Sequence, residues 1–82
     1  MKKETKDLLV NMVQTWNQFN PQKAVRAHFD DSEFSPKHWS LDMAIEGVIS
    51  SDFMAFLLPA LIAQDCVWFF SAYGSEVTFH IQ

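Results

Sequence analysis

Leu8, Leu9, Met12, Val13, Trp16 and Phe19 recur at the spacing of one face of a helix, with Lys6, Asp7, Asn11, Gln14 and Asn17 on the other side. This pattern predicts a helix over residues 4 to 19, stopped by Asn20-Pro21, because proline turns the residue before it away from helical dihedrals. Residues 22 to 29 carry two signals. Val25, Ala27 and Phe29 alternate with Arg26 and His28 as in a strand, while Pro21 after Asn20 fits a helix start, and a short helix is the expectation. Asp30, Asp31, Ser32 and Glu33 read as an acidic loop. Ser35-Pro36 then reads as the cap and first turn of a further helix, whose apolar positions Trp39, Leu41, Ile45, Val48 and Ile49 run to about residue 49.

The cluster Ser50-Ser51-Asp52 is expected to cap another helix, Phe53 to Ala63, which is apolar nearly all round and is kinked or divided at Pro59. Beyond it the period changes to two. Val77, Phe79 and Ile81 alternate with Glu76, Thr78, His80 and Gln82, and Cys66 to Phe70 is apolar on both faces, so a hairpin turning near Gly74 is predicted. A three-residue loop, Ala72-Tyr73-Gly74, keeps the left-handed conformation on glycine and pairs Phe69 with Val77 and Val67 with Phe79. It is preferred to a Tyr73-Gly74 loop, which pairs Phe70 with Val77. The expected fold is therefore a single small α+β domain over residues 1 to 82, several helices followed by and packed on a C-terminal antiparallel β-hairpin. A further strand or a second subunit is needed to cover the apolar strand.

Composition sharpens this picture. In 82 residues, 49% are hydrophobic, with three Trp and eight Phe, more than so small a domain readily encloses. A homodimer or an obligate binding partner is expected. Cys66 is the one cysteine, and Glu4, Lys6 and Asp7 interrupt any apolar leader, which points to the cytoplasm. Phe53 to Tyr73 is long enough to cross a bilayer, but Pro59, Gln64 and Asp65 oppose insertion, and no membrane partner is expected.

After Lys37 the chain has neither lysine nor arginine, while Asp42, Glu46, Asp52, Asp65 and Glu76 continue. Of the net −4, residues 38 to 82 supply −5 and the first thirty-seven +1. Such a balance repels phosphate and attracts basic protein. The lack of a glycine-rich loop also argues against direct nucleic-acid binding.

Candidate chemistry is thin. His28, Asp30, Asp31 and His38 form a conceivable composite metal site without the spacing of a known one, and Cys66 faces His80 in the preferred hairpin register, which leaves a small buried cysteine as the plainer reading. Asp30 with Asp31, or Asp42 with Glu46, could do acid-base work if one carboxyl were held in an apolar pocket, and Asp42 and Glu46, four apart on one helix face, fit a solvated face or a contact surface for Lys or Arg of another protein. No catalytic residue, metal or cofactor is expected. The functional expectation is a non-enzymatic acidic protein-binding module. It is read as an inhibitor docking on a basic surface of a nucleic-acid-handling protein such as a nuclease, a toxin, or a restriction or CRISPR complex. Asp42, Glu46 and Asp52 would steer it, and Trp39 or Tyr73 would anchor it. The alternatives are a homo-oligomer that uses the apolar hairpin face, and a small enzyme or ligand-binding domain with an aromatic-lined pocket.

Overall fold

Residues 25 to 35 and 38 to 47 form strands, where the sequence pattern predicts a short helix, an acidic loop and a further helix. The computed structural model describes residues 2–35, 38–64 and 66–82. Its elements are helix α1 (Lys2–Phe19), a 3-10 turn (Pro21–Lys23), strands β1 (Val25–Ser35) and β2 (His38–Gly47), helix α2 (Ser51–Ala63), and strands β3 (Trp68–Tyr73) and β4 (Glu76–Ile81). The chain is thus α+β, a helix and a hairpin given twice. The four strands form one antiparallel sheet in the order β1-β2-β4-β3, so the inner strands β2 and β4 are the second strands of their hairpins. The first and third strands become the two edges.

Period two explains β2. Trp39, Leu41, Met43 and Ile45 are buried and alternate with His38, Ser40, Asp42, Ala44 and Glu46. Met43 discriminates, since on a helix it would point away from Leu41 and Ile45, whereas on a strand all three share a face. The expected acidic loop, Asp30 to Glu33, is part of β1, and Pro36 lies outside the described residues. Opposite β2, β4 aligns Ile81 with Leu41, Phe79 with Met43 and Val77 with Ile45. These pairs form the floor of the core.

The helices make its roof. Leu9, Val13 and Trp16 of α1 and Phe53, Leu57 and Leu61 of α2 are buried against the sheet, each stabilising the fold by about 1.5–3 kcal/mol relative to exposure. The Trp16 ring meets the edge of Phe53 at 5.3 Å and 73°, while its Nε1–H donates to the Lys23 carbonyl at 2.9 Å, so the indole joins both helices to the turn between α1 and β1. Asn17, expected on the wet side of α1, is half-buried and bonded to Val25.

Ser50 caps α2, its hydroxyl accepting from Phe53 N–H at 3.2 Å. Pro59 neither stops nor divides this helix. The carbonyl deprived of a donor there belongs to Ala55, which is exposed and open to water. Gly47, at φ +119°, ends β2 where an added Cβ would stand 3.0 Å from the Ala24 carbonyl oxygen.

The hairpin turns at Gly74-Ser75. Tyr73 faces Glu76, Ala72 faces Val77 and Phe70 faces Phe79, so the expected three-residue loop with Phe69 opposite Val77 is overturned. Gly74 at φ +62° takes the first loop position of a glycine-first primed turn, whose twist matches the strands. This register puts Trp68, Phe70 and Ala72 on the helix side and Phe69, Ser71 and Tyr73 on the other face. Among the described residues no helix is long and apolar enough to cross a membrane. The stretch weighed as a span, Phe53 to Tyr73, divides between α2 and β3.

Candidate functional site

The helices cover one face of the sheet, and the other face is open. Alternation directs Arg26, His28, Asp30 and Ser32 of β1, Ser40, Asp42, Ala44 and Glu46 of β2, and Glu76, Thr78 and His80 of β4 onto it. Four carboxylates therefore share this face with one fixed cation, Arg26, among the described residues.

Register sets them against one another. Asp30 stands directly opposite Asp42, and Glu46 directly opposite Glu76. Facing side chains on neighbouring strands begin about 5 Å apart, and like charges so placed are destabilising. Each row has one relieving group at its side. His80 Nδ1 lies 2.8 Å from Asp42 Oδ1, and Arg26 Nη2 lies 3.0 Å from Glu46 Oε2. Along β2 the rows are separated by four residues, about 13 Å of strand.

Aromatic rings border these rows on β3. Phe69 faces His80 and stacks on it with ring centroids 4.7 Å apart and 24° between planes. Tyr73 faces Glu76 and is 91% exposed. Acid and exposed aromatic surface thus adjoin on one face.

The anticipated residues are distributed unevenly over the structure. Asp42 and Glu46 are together on the open face, four apart on a strand rather than on a helix, Asp42 hydrogen-bonded to His80 and Glu46 ion-paired with Arg26. Asp52 is elsewhere, in the first turn of α2, where Lys23 Nζ lies 3.4 Å from its Oδ2. Trp39 is only 8% exposed and is core rather than a surface anchor. Tyr73 is free to act as one. Asp30, Glu76 and His80 complete the acidic rows and are not among the expected contact residues, because only register shows which residues face one another.

Chemistry elsewhere is limited by the same alternation. Asp31 turns to the helix side, where Lys6 Nζ lies 2.9 Å from its Oδ1. The Lys6 hydrogen bond, with Lys6's charge and a bond from Trp39, holds the Asp31 carboxyl below its ordinary 3.8 against the opposing effect of burial. His28 and Asp30 point the other way, so the composite metal set does not converge. Cys66 packs beside the core while His80 lies on the open face opposite Phe69, so the thiol and imidazole are not partners.

A different group does approach His80. Ser71 Oγ is 3.4 Å from Nε2, and with Nδ1–H donating to Asp42 the three stand in the order hydroxyl, imidazole, carboxylate of a hydrolytic relay. Val67 and Gln82 exchange both main-chain bonds, so by alternation Ser71 bonds into the ladder with Thr78. Its N–H is not aimed at an oxyanion, and β3 is exposed over most of its length. The two contacts of His80 tie β3, β4 and β2 together on the open face.

Comparison with protein-family models, curated protein sequences and solved structures finds no match to this chain.

Proposed function

We propose that this protein is a non-enzymatic binding module whose open sheet face docks on a basic surface of a partner protein. One observation carries the reading: two pairs of carboxylates face each other across neighbouring strands, beside a border of exposed aromatic side chains. Folding alone favours separating such charges. A partner's Lys or Arg placed over each pair reverses the sign of that cost, and the rows about 13 Å apart offer two such places. Phe69 and Tyr73 supply the apolar contact that steering charges lack.

Basic surfaces built for phosphate match this face best, so the partner is proposed to be a nucleic-acid-handling protein that the module blocks. Affinity capture from host extract at low and high salt, with the wild-type protein and an Asp30→Lys/Glu76→Lys variant, tests it. A catch that contains a nucleic-acid-binding protein, is released by salt and is absent with the variant supports the proposal. An identical catch with both proteins, or one indifferent to salt, contradicts it.

A further inference from the structure

The two edges of the sheet are treated differently. On β1, Asn17 occupies both main-chain groups of Val25, and the strand carries Arg26, Asp30, Asp31 and Glu33. Such charges discourage a second strand. β3, with the sequence WFFSAY, has no charge and no proline. It is also largely apolar and poorly covered, Phe69 being 57% exposed and Phe70 52%, with Val67 just before it 71%.

Its hydrogen bonding can be read out. Since Val67 exchanges both bonds with Gln82 and the ladder alternates, Phe69, Ser71 and Tyr73 bond inward to β4. Trp68, Phe70 and Ala72 direct their N–H and C=O groups out from the edge.

We propose that β3 pairs antiparallel with β3 of a second copy about a two-fold axis at Phe70, joining two four-stranded sheets into one. In this register Phe70 faces its own counterpart, Trp68 faces Ala72 of the other copy, and each facing pair exchanges two main-chain bonds. The largest side chain of the strand meets one of the smallest. On the open face Phe69 lies opposite Ser71 and Tyr73 opposite Val67. Two molecules of net charge −4 thereby meet along an uncharged strip, with their acidic rows held apart on either side. A second copy suits this edge better than a charged foreign strand, because the edge offers no counter-charge. The inference does not depend on the reading of the acidic face.

Sedimentation over a concentration series, combined with residue-resolved amide exchange, tests it. The expected mass is twice the 9.5 kDa of the chain, with the Trp68, Phe70 and Ala72 amides protected in the dimer and losing protection on dilution. Ala72→Pro removes one outward donor while sparing the bonds to β4, and is expected to abolish the dimer and retain the circular dichroism of the fold. A single-chain mass at every concentration overturns the proposal and leaves the edge to a foreign strand. So does a dimer whose three outward amides exchange freely. Should Ala72→Pro fail to fold, the wild-type exchange pattern decides alone.

Discussion

Asn17 holds Val25 by both its main-chain groups, its Oδ1 accepting from Val25 N–H and its Nδ2 donating to the Val25 carbonyl, each at 2.8 Å. A side-chain amide here does the work of a neighbouring strand. It closes the start of the β1 edge and fixes the angle at which the sheet leaves α1. Asn17→Ala removes both partners from a partly buried site, with an expected loss of about 1–3 kcal/mol. Asn17→Asp keeps the acceptor but turns a second oxygen, which cannot donate, toward the Val25 carbonyl, and is expected to lose a similar amount. Urea unfolding of the three proteins measures both losses.

Hairpin register is open to a simple comparison. Phe79 is fully buried and Phe69 is 57% exposed on the opposite face. Phe79→Ala is expected to cost about 3–5 kcal/mol and Phe69→Ala under about 1 kcal/mol. Equal losses would mean that β3 and β4 pair with the other parity.

The facing carboxylates predict opposite effects on folding and binding. Asp30→Asn and Glu76→Gln each relieve a cross-strand repulsion and are expected to raise stability by about 0.2–1 kcal/mol, while weakening a basic partner. Thermal melts and a binding titration report the two quantities on the same proteins. Loss of stability in both variants would indicate that the acids serve the fold instead.

Asp31 gives a pH dependence with a defined sign. Its folded carboxyl titrates below 3.8, chiefly through the Lys6 hydrogen bond, so the stabilisation is present above the unfolded value and is lost as pH falls through the folded one. Lys6→Met is therefore expected to be less stable than wild type near neutrality, with the difference shrinking in acid. Both groups are substantially exposed, so the effect is small and weakens with salt. A difference that grows on acidification contradicts the assignment.

Much of the fold was legible in the sequence and part was not, for a physical reason. The α1 helix with its buried Leu9, Val13 and Trp16, the Ser50 cap and the alternation of Val77, Phe79 and Ile81 appear in the structure, while Leu8 and Phe19 of the expected stripe are exposed. Leu41 and Ile45 stand four apart, a spacing that both helix and strand place on one face, and Val48 and Ile49 extended the helical reading beyond the end of β2. Residues 38 to 47 also carry the period-two run Trp39, Leu41, Met43 and Ile45, in which Met43 favours the strand, and β1 and β4 bond to it on both sides. The site suffered similarly. Charge counted along the chain placed the negative surface downstream of Lys37, whereas the sheet gathers Asp30 from upstream and turns Asp52 away to Lys23. Asp42 and Glu46 were identifiable as neighbours, but the opposition of Asp30 to Asp42 and of Glu46 to Glu76 is a property of register.

The central claim is that the open sheet face is the docking surface, and its most direct measurement is an amide-resolved NMR titration of the isotope-labelled protein with a Lys/Arg-rich peptide. The account predicts shifts concentrated at Asp30, Asp42, Glu46 and Glu76 and extending to Phe69 and Tyr73, diminishing as salt is added. Shifts confined to α1 and α2, or undiminished by salt, would contradict it.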